Sequence, residues 1–278
     1  MTLPLFYCDE IIKKSILEDI PYIDVTTDLL IPEEKQSTGT FLAKSDGILC
    51  GIDVALRVFI LLDSSCKVKI LKKDGDSLVT GDVIAVVDGS TRALLKGERT
   101  ALNLLQRMSG IATATHHAVQ IVKGTTASVT DTRKTTPTLR ALEKYAVMTG
   151  GAKNHRFCLS DAVLIKDNHV DAVGSITQAV IQLRQKIGHT VKIEVEVRNL
   201  EELEEALKSR ADIIMLDNMS VDMMKQAVII ADKRAFLEAS GGVTEENLRK
   251  IAGTGVDIIS MGALTHTFHS LDISMKIK

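Results

Sequence analysis

The sequence predicts an α/β protein in which a parallel barrel follows a smaller α+β region. Three observations carry this reading. From Ser128 onward, apolar strand-like runs alternate with helical patterns, and such alternation implies parallel strands joined by crossover helices. The later strand–helix repeats are roughly 20 residues long, a compact unit that suits a barrel. No G-x-G-x-x-G follows any strand, which weakens the rival doubly wound, dinucleotide-binding fold. Six strand runs are present, fewer than a closed barrel needs, so an incomplete barrel is expected.

From about residue 24 to 96 the chain reads as short strands and turns. GTFLAKSDGILCG alternates between glycines, CKVKILKKDGD ends in an Asp-Gly turn, and LVTGDVIAVVDGS repeats the pattern, with a helix DVALRVFILLD between them. The style changes near Gly97. GERTALNLLQRMSG places Ala101, Leu104, Leu105 and Met108 at helical spacing and leaves Arg99, Asn103 and Gln106 as a polar stripe. The six later strand runs are ASVTD, AVLIK, VKIEVEV, DIIML, AFLEA and VDIISM. Helices are predicted at LRALEKYAVM, SITQAVIQLRQKI, LEELEEALK, VDMMKQAVIIA and EENLRKIA. Asn199 with Glu202 resembles a capping box, and Gly150, Gly188 and Gly253 mark helix stops.

Composition narrows the function. No run of 18 apolar residues occurs, so no membrane-spanning helix is expected. MTLPLFYCDEIIKK lacks a basic region leading into an apolar one, so no secretory signal is expected. The four cysteines (Cys8, Cys50, Cys66 and Cys158) form no C-x-x-C pair, which fits a reduced, cytoplasmic setting. With a formal charge of −2 there is no basic footprint for duplex binding, and 3% aromatic residues without tryptophan argue against stacking on single strands. A small-molecule protein is the remaining expectation.

In a parallel barrel the chemistry gathers at the C-terminal strand ends. Thr132, Arg133 and Lys134 follow the first run, and Lys166, Asp167, Asn168 and His169 follow the second. Glu194 and Glu196 lie two apart in one strand and so share a face. Asp217 and Asn218 end the next run, Ser240, Gly241 and Gly242 the fifth, and Ser260 and Gly262 the last. One charged residue after one strand is ordinarily a solvated loop; six consecutive polar strand ends point to a shared pocket. Arg133, Lys134, His155, Arg156 and Lys166 on a net-acidic chain imply a strongly anionic ligand. Ser240-Gly241-Gly242 before a helix beginning near Thr244 suits a phosphate. Glu196 and Asp217 offer hard oxygens for magnesium, or alternatively ion pairs with the lysines. His116, His117, His266 and His269 make no zinc-type site.

Taken together, ERTALNLLQRMSGIAT, DTRKTTP, LEKYAV, NHR, LSDAVLIKDNH, EVEV, IMLDN, SGG, TGVDIIS and GALTH resemble the quinolinate phosphoribosyltransferase family. The resemblance runs in order over nearly the whole chain and includes EDIPYIDVTTDLLIP near the start. It implies an N-terminal α/β open-faced sandwich domain (residues 1–105, with the tail 270–278 packing back on it) and an incomplete α/β barrel (106–269). It implies transfer of the phosphoribosyl group of PRPP to quinolinate with decarboxylation, giving nicotinate mononucleotide, pyrophosphate and CO2 for NAD biosynthesis. Magnesium would accompany PRPP, with no zinc and no nucleotide cofactor. The partners implied are a homodimer with shared sites, or a hexamer, without nucleic acid or membrane.

Carried over residue by residue, Arg133, His155, Arg156 and Lys166, with Arg99 from the partner subunit, resemble the basic pocket for the pyridine dicarboxylate. Thr132, Ser240, Gly241, Gly242, Ser260, Gly262 and His266 fall to substrate binding, the Ser-Gly-Gly turn, Gly262 and His266 at the 5′-phosphate. Lys134, Lys166, Glu196 and Asp217 are the catalytic group, with Glu196 and Asp217 near the ribose and magnesium. The chain departs from the family's usual glycines at Ile23, Thr138, Ala152 and Cys158; a threonine held at positive φ would be strained. Three alternatives stay open. One is a ModD-like paralogue with another anionic substrate, although the retained LIKDNH argues against it. Another is a Schiff-base barrel lyase using Lys166 or Lys134. The last is a lipoyl-like carrier at DGDSLVTGDVIAVVDGS, which lacks a lysine at its hairpin tip.

Overall fold

A computed structural model describes residues 3–278. Its elements in order are α1 (Leu5–Asp19), α2 (Val25–Leu30), β1 (Gln36–Ala43), β2 (Gly47–Ile48), α3 (Ile52–Leu62), β3 (Lys67–Ile70), β4 (Ser77–Leu78), β5 (Val83–Ser90), α4 (Thr91–Val122), β6 (Ser128–Thr130), α5 (Arg140–Thr149), β7 (Val163–Ile165), α6 (Asp167–Val173), α7 (Ile176–Arg184), β8 (Ile193–Val197), α8 (Leu200–Lys208), β9 (Ile213–Asp217), α9 (Val221–Ala231), β10 (Phe236–Ser240), α10 (Glu245–Ala252), β11 (Ile258–Ser260), α11 (Ala263–His266) and β12 (Ile273–Ile277). The chain divides into two compact units. The first holds the residues up to His116 with Thr135–Gly151 and Thr267–Lys278; the second holds His117–Lys134 and Ala152–His266. Residue 105, where the family resemblance sets the domain boundary, lies inside the 32-residue helix α4.

The first unit is built on an antiparallel sheet of order β12-β1-β5-β3. Alternation along β1 buries Gly39, Phe41 and Ala43, and Phe41 meets Phe59 of α3 edge-on at 6.0 Å. The tail strand β12 pairs with β1 from Gly39–Ile277 to Ala43–Ile273, covering what would otherwise be an open edge. Helix α1 packs on α3, where Arg57 holds Asp9 through two bonds of 2.8 Å. Helix α3 starts at Gly51, which has no side chain to cap it. Asp74 supplies the cap from another loop: its Oδ1 accepts from Gly51 N (2.9 Å) and Ile52 N (3.0 Å), and its Oδ2 accepts from Tyr145 of α5 (2.9 Å).

Of the four positions that depart from the family's glycines, only Thr138 sits in the left-handed region, at φ 70°; Ile23, Ala152 and Cys158 do not. Pro137 precedes it and Leu139 N donates to Thr136 O at 3.1 Å, the form of a type II turn whose third position favours glycine. The strain expected of threonine is therefore present at one site, in the first unit.

The second unit is a six-stranded sheet of order β6-β11-β10-β9-β8-β7, parallel throughout. It realises the six runs read from the sequence, and among the described residues no strand closes β6 onto β7, so the barrel is incomplete. Val195, Ile214, Leu216, Ala239 and Ile259 are fully buried, as expected of a parallel sheet covered by crossover helices. Asn199 does cap α8 by accepting from Glu202 N (2.8 Å), but the box is not closed: the Glu202 carboxylate accepts from Arg198 N instead. A capping box does form at α10, between Thr244 and Asn247. Helix α7 stops at Arg184, short of the expected end near Gly188. The segment after Lys166, which is not among the predicted helices, is helix α6, whose His169 Nδ1 accepts from Lys166 N at 2.9 Å.

Candidate active site

Because all six strands run the same way, their C-terminal ends share one rim of the second unit, and a cavity of about 520 Å³ opens there. After β6 the chain places Thr132, Arg133 and Lys134 on its wall, with Lys134 N bonded to Thr132 Oγ1 at 3.0 Å. Lys153 bridges to Thr130, which brings His155 and Arg156 to the same wall; His155 N donates to the buried Asp131 carboxylate at 2.8 Å. Arg156 is steadied by Ala162 O at 2.9 Å. Burial, and then the neighbouring Arg133, lower the Arg156 pKa below its usual value.

Lys166 follows β7 and reaches Glu196 of β8 at 2.8 Å. Asp217 ends β9 and accepts from Asn218 Nδ2 at 2.9 Å. Ser240, Gly241 and Gly242 follow β10, and Ser260 ends β11. Gly241 (φ 85°) and Gly242 (φ 59°) take left-handed conformations, and a Cβ on Gly241 would come within 2.3 Å of Asn218 Oδ1. Glycine meets both constraints at Gly241, and the turn lines the cavity just before α10.

Thirteen of the residues singled out from the sequence thus line one cavity: Thr132, Arg133, Lys134, His155, Arg156, Lys166, Glu196, Asp217, Asn218, Ser240, Gly241, Gly242 and Ser260. Gly262 and His266 do not line it. They lie just past β11, where a Cβ on Gly262 would meet His266 Nε2 at 2.8 Å and Lys134 Cδ at 3.2 Å. Arg99 belongs to the first unit and is exposed on α4.

Sequence reasoning passed over Glu238, which sits inside the apolar run AFLEA, and it read Glu194 only as the same-face neighbour of Glu196. Both are buried, Glu194 at 3% and Glu238 at 2% exposure, and Glu238 lines the cavity. A carboxylate in the middle of a buried parallel strand was the available signal, because such a group is almost never placed there without a partner or a task. Burial, and then the Glu194 charge, push the Glu238 carboxyl up to about 7, against the pull of His155.

A parallel barrel with cationic side chains, two carboxylates and a glycine turn at its rim defines an enzyme for a compact polyanion. Comparison with known proteins gives the family. Residues 24–109 match the quinolinate phosphoribosyl transferase N-terminal domain and residues 111–276 its C-terminal domain. The chain is 46% identical over 268 residues to the probable nicotinate-nucleotide pyrophosphorylase (carboxylating) of Bacillus subtilis, covering 96% of this chain and 92% of that protein. It is 43% identical to the corresponding Mycobacterium leprae protein, covering 96% and 95%. Among solved structures, NadC from Streptococcus pyogenes superposes with a TM-score of 0.96 at 42% identity, covering 100% of this chain and 99% of that one. The chain belongs to the quinolinate phosphoribosyltransferase family. Membership removes the lyase and carrier alternatives.

Proposed function

We propose that the chain transfers the phosphoribosyl group of PRPP to quinolinate, with loss of the 2-carboxylate. The carrying observation is the convergence of Arg133, Arg156 and Lys166 with the Ser240-Gly241-Gly242 turn on one cavity. Guanidinium groups match carboxylates in bidentate geometry, and backbone N–H groups before a helix match a phosphate. A dicarboxylate beside a sugar phosphate fills both halves of such a site.

In the reaction the bond from the ribose anomeric carbon to pyrophosphate breaks and the pyridine nitrogen bonds to that carbon. The ring nitrogen is already a nucleophile, so no serine or cysteine is required. Glu196 and Asp217 stabilise the cationic character that develops on the ribose and orient its hydroxyls. Lys134 and Lys166 offset the charge on the departing pyrophosphate. The bond from ring carbon 2 to its carboxylate then breaks, CO2 leaves, and a proton takes its place. Arg133 and Arg156 hold the ring through both steps.

The donors fit magnesium in a particular way. Glu196 is engaged by Lys166 at 2.8 Å, so Asp217, with Glu196 at most indirectly, would hold an ion completed by substrate phosphates and water. When bound, the ion neutralises phosphate charge.

We also place the working molecule in the cytoplasm as a homodimer, with a hexamer as a further assembly, and give Arg99 a role in the partner's site. Residues 22–30 support the dimer: Tyr22 is 94% exposed and Val25, Leu29 and Leu30 are exposed with it, a run of apolar surface suited to a second subunit. Arg99 stands exposed on α4.

A PRPP-dependent assay with quinolinate, nicotinate and nicotinamide side by side tests the reading. Pyrophosphate and CO2 should be released with quinolinate alone; equal rates with nicotinate would overturn it. For the shared site, Arg99→Ala mixed with Lys166→Ala should regain activity, since a hybrid dimer holds one complete site. No recovery despite proven subunit exchange would remove Arg99 from the proposal.

A further inference from the structure

At the cavity wall, His155 is held by two carboxyl groups to which the proposed reaction gives no part. Its Nε2 lies 3.2 Å from Glu194 Oε2 and 3.5 Å from Glu238 Oε1, and both carboxylates are almost fully buried. Its Nδ1 accepts from Arg156 N at 2.8 Å. An imidazole nitrogen that accepts from an amide bears no proton, so the neutral ring carries its proton on Nε2 and can only donate it toward the carboxylates. Glu194 keeps its other oxygen, Oε1, buried without a hydrogen-bond partner, and Glu238 Oε1 has no partner closer than this ring.

Three such ligands within 4.8 Å of one another also have the make-up of a metal site. The Nδ1 contact argues against an ion. A metal on Nε2 normally goes with an Nδ1–H that donates, whereas here Nδ1 accepts and the ring would have to lose both protons.

We propose that Glu194 and Glu238 are positioning residues: together they lock His155 as the Nε2–H tautomer, and through its Nδ1 the locked ring fixes the backbone that presents Arg156 to the substrate. Both ring nitrogens of His155 are then committed to the protein, and its role differs from that of a direct cationic contact. Arg156 follows it immediately in the chain, with its guanidinium tied to Ala162 O, so a ring free to flip would loosen the arginine at its root. Carboxylate-oriented histidines are a general device for holding one tautomer and one ring plane. The inference rests on the quinolinate reading for what Arg156 binds, but not for the tautomer.

The test uses protein labelled with 15N-histidine, with the His155 resonances assigned by their loss in His155→Gln. Wild-type protein should show a protonated Nε2 and an unprotonated, hydrogen-bonded Nδ1. Glu194→Ala and Glu238→Ala should each raise the Nδ1–H population. Each should also raise KM for quinolinate by about tenfold while KM for PRPP changes less than about twofold. Glu194→Gln should recover most of that loss, because its carbonyl can still accept from Nε2–H. A bare Nε2 in the wild type, or a divalent metal ion in the purified protein that is lost in His155→Gln but kept in Asp217→Ala, overturns the proposal even if the alanine variants fail to fold. So does an unchanged KM in folded alanine variants. Absence of turnover with quinolinate in the wild type would instead sink the functional reading while leaving the tautomer result standing.

Discussion

Asp74 in the first unit and Glu238 in the second are both enclosed carboxyl groups whose pKa lies above the usual carboxylate range, chiefly through burial. Their surroundings differ. Asp74 accepts from two backbone amides and the Tyr145 hydroxyl, completing the N-terminus of α3. Glu238 keeps an oxygen without a hydrogen-bond partner and faces a second carboxylate and a histidine. A buried acid satisfied by the backbone organises a fold. One left short at a cavity wall serves the site, at a standing cost to stability.

The predictions divide along that line. Lys166→Ala and Arg133→Ala, at the rim of the second unit, should each reduce turnover by about a thousandfold with little change in thermal stability. Wild-type rates in both would mean that the cavity is not the site. Asp74→Ala should do the opposite, costing about 2–3 kcal/mol in urea unfolding through loss of the α3 cap and its companions, with kcat per folded molecule unchanged. A stable Asp74→Ala protein would erase the contrast.

The third prediction concerns pH. Native Glu238 holds its proton up to about pH 7, whereas an unfolded glutamic acid releases it near 4.5. Its contribution to stability is therefore fully present below pH 4.5 and is lost as pH rises through 7. Over that window the wild type should lose up to about 3 kcal/mol relative to Glu238→Gln, which cannot titrate. Parallel stability curves for the two proteins would count against the raised pKa. The smallest effect is expected at Thr138. Glycine there should relieve the left-handed strain and raise stability by up to about 1 kcal/mol, read as a Tm increase of a few degrees, without altering KM for quinolinate. A destabilised Thr138→Gly would show that the turn gains more from the threonine side chain than it loses in φ.

Most of the rim was legible because it obeys a local rule. A parallel strand ends, and the next residues are polar or glycine: Arg133, Lys166, Asp217 and the Ser240-Gly241-Gly242 turn were all found this way. Glu238 and the fuller role of Glu194 were not, since both lie within strands where the period-two pattern of a buried run conveys hydrophobicity alone. The Asn199 cap was legible, but the partner of Glu202 was not, because two backbone amides one residue apart compete for the same carboxylate. The length of α4 was missed for a related reason: helical periodicity marks where an apolar stripe is strong, while packing decides how far the helix extends.

By itself the sequence determined the element types, the parallel character of the larger sheet and the residues at its strand ends, because each depends on spacing within one segment. Only the tertiary structure decided which carboxylates are satisfied: Asp74 meets the start of α3, and Glu194 and Glu238 meet His155, across gaps of tens of residues. Hydrogen bonds and desolvation are set by neighbours in space, and a strand's own periodicity does not record which side chain will lie opposite it.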